Sequence, residues 1–151
     1  MKKLIAYFSP SGNTKAMAEK LAKATGADLF EIKPQTPYTR ADLDWTNKNS
    51  RSSVEMNDKS YRPQIAQLPN SLANYDTIFI GFPIWWYVAP TIINTFDLDG
   101  KKVIPFATSG GSGMGKTLAN LKPSCPGANW VEGKVINGMS EKALADWAEK
   151  L

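Results

Sequence analysis

Histidine is absent from this sequence of 151 residues, and cysteine occurs once, at Cys125. The first absence removes Ser-His and Cys-His nucleophile pairs, histidine metal sites and the side chain that most often moves protons near neutral pH. The second excludes an intramolecular disulfide and a thiolate metal cluster within one chain. No metal ligand set and no catalytic side chain is therefore expected, and any catalysis should be carried by an organic cofactor. Long apolar runs are also missing. Leu4 to Phe8 and Ile78 to Ile80 fall far short of the roughly 20 residues of a membrane span, so no span is expected. Lys2 and Lys3 ahead of the first run faintly resemble a signal peptide, but the run is shorter than the roughly 7–15 residues of an apolar signal core. It reads instead as a strand, and the chain as cytoplasmic.

Charge of one sign is in only small excess. Lys and Arg number 18 against 14 Asp and Glu, a net charge of +4 with a pI near 9.1. The lysines are dispersed, with adjacent pairs only at Lys2-Lys3 and Lys101-Lys102, the pattern of a solvated surface rather than of a nucleic-acid footprint. Apolar residues make up 42% and charged residues 21%, ordinary for a soluble chain, and the length fits one domain, 1–151.

What is present alternates between strand and helix patterns. Leu4–Phe8, Thr77–Ile80 and Val103–Ala107 are continuous apolar runs, as in strands covered on both faces. Leu29–Lys33 and Trp130–Val135 mix polar and apolar residues, as edge strands do. Helices are expected at Lys15–Thr25 with Gly26 as its stop, Pro90–Phe96, Gly115–Lys122 ended by Pro123, and Glu141–Leu151 with Ser140 as N-cap. This alternation implies an α/β, three-layer, doubly wound fold: a five-stranded parallel sheet in the order 2-1-3-4-5, with ligands at the carboxyl ends of strands one, three and four.

Two features strain that expectation. Pro105 lies inside a central strand, where it has no N–H to donate, so a bulge or a locally unpaired position is expected. The return from Pro90 to Gly100 is short, and the third crossover must be tight. The polar stretch from Pro34 to Pro69 is too long for a simple loop and is expected to hold a short helix around Asn49–Asp58. Trp45 and Tyr61 within it are expected to pack onto the sheet, with cover over a ligand as the alternative.

Three loops carry the chemistry. Ser9-Pro10-Ser11-Gly12-Asn13-Thr14-Lys15 follows the first strand and leads into a helix, so hydroxyls, backbone N–H groups and the positive end of the helix dipole suit a phosphate; a plain N-cap is the alternative. After the third strand, Gly81-Phe82-Pro83-Ile84-Trp85-Trp86-Tyr87 supplies walls for a planar ring, although tryptophans also belong in cores. After the fourth, Thr108-Ser109-Gly110-Gly111-Ser112-Gly113-Met114-Gly115 lets backbone amides approach a flat ligand edge closely. Gly110 to Thr117 also satisfies the Walker A spacing between a strand and a helix. However, no hydrophobic strand ends in the acid that would hold Mg²⁺, and only a short chain follows, so an NTPase is a remote alternative. No glycine triplet follows the first strand, which disfavours a dinucleotide fold.

Taken in order, these motifs resemble the flavodoxin family, especially its short members with a Trp-Trp loop and a Thr-Ser-Gly-Gly-Ser-Gly loop, over nearly the whole chain. The resemblance implies FMN as cofactor. Its phosphate turn matches Ser9, Ser11, Gly12, Asn13 and Thr14, its flavin wall Pro83, Ile84, Trp85 and Trp86, and its second ring loop Thr108, Ser109, Gly110, Gly111 and Gly113. Electron transfer to a redox partner protein is implied, or alternatively an enzyme that uses NAD(P)H and a quinone-like acceptor; a non-redox binding module ranks third. The mild positive charge departs from the strongly acidic electron carriers of the family, and the third loop lacks their stacking tyrosine.

Overall fold

The three continuous apolar runs form the centre of the sheet, as β1 (Lys2–Tyr7), β3 (Tyr75–Pro83) and β4 (Lys102–Thr108), in a computed structural model. The structure describes residues 2–58, 61, 64–65, 72–85, 89–95, 98–109, 113–115 and 117–151. Around these strands run α1 (Asn13–Thr25), β2 (Asp28–Glu31), α2 (Arg51–Asn57), α3 (Thr117–Leu121), β5 (Asn129–Trp130), β6 (Lys134–Val135) and α4 (Glu141–Glu149). The sheet is parallel in the order β2-β1-β3-β4-β5, with β6 also paired to β4, so the expected doubly wound order holds.

Alternation along the strands divides the core in two. Ile5, Tyr7, Phe79, Ile104 and Phe106 face α1 and α4, where Met17, Ala18, Leu21, Leu144 and Ala148 cover them. Leu4, Ala6, Phe8, Ile78, Ile80 and Phe82 face the opposite way, under Ile92, Ile93, Leu121 and part of the insert that follows β2. α1 stops where Gly26 adopts φ +72° and donates its N–H to the Ala22 carbonyl at 2.8 Å, a left-handed C-cap that favours glycine. Ser140 caps α4 by accepting the Ala143 N–H at 3.1 Å.

The fifth strand position is filled by two short strands, not the single run expected at Trp130–Val135, and this break resolves Pro105. Val103 and Ala107 present their carbonyls outward to the N–H groups of Val131 and Ile136, at 2.8 and 2.9 Å. Pro105 shares their parity, so its ring nitrogen points to the gap between β5 and β6, where no ladder donor is needed. Gly133 occupies that gap: a Cβ there would lie 2.2 Å from the Pro105 carbonyl oxygen.

The tight third crossover is a 3-10 turn over Thr91–Thr95 rather than an α-helix, which gains about 2.0 Å per residue instead of 1.5 and so spans more distance with few residues. Phe96, placed in that helix by the sequence, lies outside the described residues. α3 is shorter than expected, and Pro123 sits inside a second 3-10 turn, Lys122–Ser124, near its start where a missing N–H costs nothing. In the insert, α2 falls within the expected stretch, and an antiparallel bridge between Pro34 and Ile65 closes its base. Trp45 is 72% exposed, which corrects the expectation that it packs onto the sheet, and Tyr61 is also exposed. Tyr38 and Ile65 are insert residues that pack there.

Candidate functional site

The loops after β1, β3 and β4 meet at the carboxyl edge of the sheet, and hydrogen bonds tie them to one another. Phe8 N–H donates to the Gly81 carbonyl at 2.9 Å, and Ile84 N–H to the Thr108 carbonyl at 2.9 Å. The hydroxyls of Thr14 and Thr108, 94 positions apart and both buried, are 2.8 Å from each other. One hydroxyl hydrogen makes that bond, which leaves the other to be donated elsewhere.

In the first loop, Ser9 takes the role of helix cap from outside the helix. Its Oγ accepts the Gly12 N–H at 3.1 Å and the Lys15 N–H at 2.9 Å, while Gly12 itself turns with φ +93°. Two of the amides expected to face an anion are therefore engaged by Ser9. Ser11, Gly12 and Asn13 stand exposed at the start of a 13-residue helix whose first turn has no acidic residue. This is an environment for a dianionic phosphate: exposed donors, a positive dipole end, Lys15 alongside and no carboxylate in the turn.

In the second loop Pro83 pairs with Thr108 in the ladder, and Ile84 and Trp85 are half-buried. Trp86 lies outside the described residues, as do Gly110 and Gly111 of the third loop. Thr108 closes β4, Ser109 follows it, and Gly113 is exposed. Thr117, which a Walker A site would turn toward Mg²⁺, is fully buried with its hydroxyl donated to the Met114 carbonyl. The helix it begins has five residues.

Sequence reasoning missed two participants, Asn137 and Tyr38. Asn137 pins the third loop from the segment before α4: its Oδ1 accepts the Ser109 N–H and its Nδ2 donates to the Ser109 carbonyl, each at 2.8 Å. Thr91 Oγ1 is buried and finds no hydrogen-bond partner among the described residues. Tyr38 packs against both Phe8 and Trp85 and forms a wall of two grooves. One groove, of about 360 Å³, is lined by Phe8, Ile32, Pro34 and Pro37 with Glu31 and Lys33 among its polar residues. The other, of about 950 Å³, lies between Pro10-Ser11 and Arg40, Leu43 and Asp44. A signal for Asn137 or Tyr38 was not available in the sequence, because each acts across a long separation.

Burial, reinforced by the Glu31 carboxylate that accepts its hydroxyl at 3.3 Å, pushes the Tyr7 phenol up to about 12. Burial and the bond to Glu55 raise Tyr38 further still. Neither phenol ionises near neutral pH, and among the described residues no group of three or more His, Cys, Asp or Glu is placed to hold a metal.

The family model for flavodoxin matches residues 2–151. The chain belongs to the flavodoxin family. A crystal structure of a Bacteroides eggerthii protein assigned as a flavoprotein is 52% identical, with a TM-score of 0.94 over 99% of this chain and 96% of that one. A Lactobacillus acidophilus flavoprotein in complex with FMN is 29% identical, with a TM-score of 0.68 over 87% of this chain and 91% of that one. Family membership and this complex agree with the FMN expected from the sequence motifs. Among curated proteins, an NAD(P)H oxidoreductase of Escherichia coli, YcaK, itself uncharacterized, is 30% identical over 94 residues. That match takes in 62% of this flavodoxin-family chain and only 43% of the relative. No helix among the described residues is long and apolar enough to cross a membrane.

Proposed function

We propose that this chain binds FMN across the three loops and serves in electron transfer. The observation that carries the reading is the buried bond between the Thr14 and Thr108 hydroxyls, which holds the anion-binding turn and the glycine loop in one fixed relation. Ser11, Asn13 and Thr14 hold the phosphate through hydroxyls, backbone N–H groups and the helix dipole, in a turn that Ser9 and Gly12 shape, without a required arginine. Pro83, Ile84 and Trp85 give the ring an apolar wall, and Thr108, Ser109 and Gly113 bring polar backbone to its edge; Trp86, Gly110 and Gly111 belong to the same loops by sequence. Asn137 restrains Ser109 so that its peptide does not have to be ordered when the ring arrives. Bound there, FMN supplies the reversible redox chemistry that no side chain of this chain provides.

A second reading is favoured by the Escherichia coli relative: the bound flavin takes electrons from NAD(P)H and passes them to a quinone-like acceptor. One experiment separates the two. The purified protein is titrated with FMN, then mixed anaerobically with NADH or NADPH while flavin absorbance is followed. Tight uptake of FMN with slow or absent bleaching is expected of a carrier between proteins, and rapid bleaching of the NAD(P)H-dependent enzyme. A protein that takes up no FMN refutes both. Replacing Ser11 and Thr14 together by alanine should weaken FMN by a few kcal/mol, at about 1.5–3 for each hydrogen bond lost to a charged group. Unchanged affinity removes the phosphate assignment.

A further inference from the structure

Three aromatic rings from three segments close into a triangle at the carboxyl edge. Phe8 and Tyr38 have centroids 5.5 Å apart, Phe8 and Trp85 5.8 Å, and Tyr38 and Trp85 5.7 Å. Their planes meet at 65°, 81° and 69°, so every pair is edge-to-face, the arrangement ring quadrupoles favour. Phe8 is anchored in the core beyond β1, but Tyr38 comes from the insert and needs its own anchor. α2 provides it. The Arg51 guanidinium carbon stands 3.8 Å over the Tyr38 ring centroid. The Tyr38 hydroxyl donates to Oε1 of Glu55, a carboxylate only 2% exposed, and Glu55 Oε2 accepts from Arg51 Nε at 3.0 Å. Arg51 Nη1 in turn donates to the Thr36 carbonyl at 2.6 Å and to that of Pro37 at 3.3 Å, which holds the backbone just before Tyr38. The ring is thus held at its face, its hydroxyl and its edges at once.

We propose that Tyr38, locked by Arg51 and Glu55, is the positioning residue for Trp85, and that it thereby sets the affinity and midpoint potential of the FMN bound beside that indole. The proposal rests on the FMN reading above. An indole already held in place does not have to be ordered by the ligand, and the immobilisation of one such side chain is worth about two- to tenfold in affinity. A neighbouring ring also interacts unequally with the oxidised and reduced flavin, so a change in its orientation moves the potential. If loosening Trp85 alters the ratio of the two affinities tenfold, the midpoint moves by about 30 mV for a two-electron couple.

The test uses the full chain reconstituted with FMN, measuring dissociation constant, midpoint potential and visible circular dichroism of the flavin. Tyr38→Leu removes the ring and should weaken FMN about tenfold, with a shifted potential and an altered flavin dichroism. Tyr38→Phe keeps the ring but frees it from Glu55, and should give a smaller change of the same sign. In a Trp85→Ala background, Tyr38→Leu should add less than twofold, because the group it positions is gone. If Tyr38→Leu does not fold, Tyr38→Phe and Glu55→Gln carry the same comparison with smaller amplitudes. The proposal is overturned if the Tyr38 variants match the wild type in affinity and potential, or if their effects add in full to that of Trp85→Ala. A wild-type chain that takes up no FMN overturns the functional reading, and with it this one. A Trp85→Ala variant indistinguishable from wild type overturns the flavin-wall role of Trp85 while leaving FMN binding intact.

Discussion

α1 and α2 are both short surface helices, yet they bury opposite kinds of side chain. Beyond Thr14 at its start, α1 turns Met17, Ala18 and Leu21 into the core, whereas the buried residues of α2 are Ser52, Ser53 and Glu55. The first is held by removal of apolar area from water. The second is held by a network in which each polar group has a partner: the hydroxyl of its N-cap Ser50, itself buried, donates to Ser53 Oγ at 2.9 Å and accepts the Ser53 N–H at 3.3 Å, and Glu55 joins Tyr38 to Arg51. An apolar face tolerates loss in proportion to the volume removed, while a satisfied network fails through the partner left behind. The scaffold that presents the turn after β1 is thus secured by packing, and the insert that reaches Trp85 by hydrogen bonds.

That contrast is open to direct attack, beginning where the effect is greatest. Leu21→Ala removes a fully buried side chain between α1 and the sheet and should cost about 2–5 kcal/mol in urea unfolding. A loss below about 0.5 kcal/mol, the ordinary range for an exposed site, breaks the view that packing secures this helix. Glu55→Ala leaves the Tyr38 hydroxyl and the Arg51 guanidinium without their acceptor and should cost about 1–3 kcal/mol. A neutral result in the same assay makes the α2 network ornamental. Ser140→Ala deletes the cap of α4, worth about 1 kcal/mol, and thermal unfolding should register it as a small fall in midpoint. Val54→Ala, half exposed on α2, should stay within about 0.5 kcal/mol, and a larger cost reveals packing that the described contacts do not contain.

Alkaline titration sharpens the comparison without any cavity. The folded state holds the Tyr7 proton up to about 12, against 10.0 for a free phenol, so it binds more protons than the unfolded chain in between. The contribution to stability is fully present below pH 10, falls as pH rises, and is spent near 12. Tyr7→Phe should flatten that decline in unfolding measured across the window. Tyr38, raised further on the insert side, should continue to lose stability above it, and identical profiles for Tyr7→Phe and wild type remove the effect assigned to burial.

Much of the fold could be read residue by residue because its signals are local. The apolar runs, the Gly26 stop and the Ser140 cap each act within a few positions, and the order 2-1-3-4-5 follows once strands and helices alternate. The insert could not be read that way. Among the described residues its buried positions are Ser50, Ser52, Ser53 and Glu55, residues that periodicity assigns to solvent, and its largest aromatic, Trp45, is exposed. Pro105 marked a break in the ladder correctly, but its location between two half-strands appears only where Val131 and Ile136 pair on either side.

The chain's own order of residues determined which turns carry hydroxyls, aromatic rings and glycines, and that these follow three central strands, because such preferences are set by neighbours in the chain. Tertiary structure alone decided that Thr14 meets Thr108, that Asn137 holds Ser109, and that Tyr38 is clamped against Trp85. Those contacts join residues distant in the chain, and a buried polar group costs less where a partner offsets its loss of water.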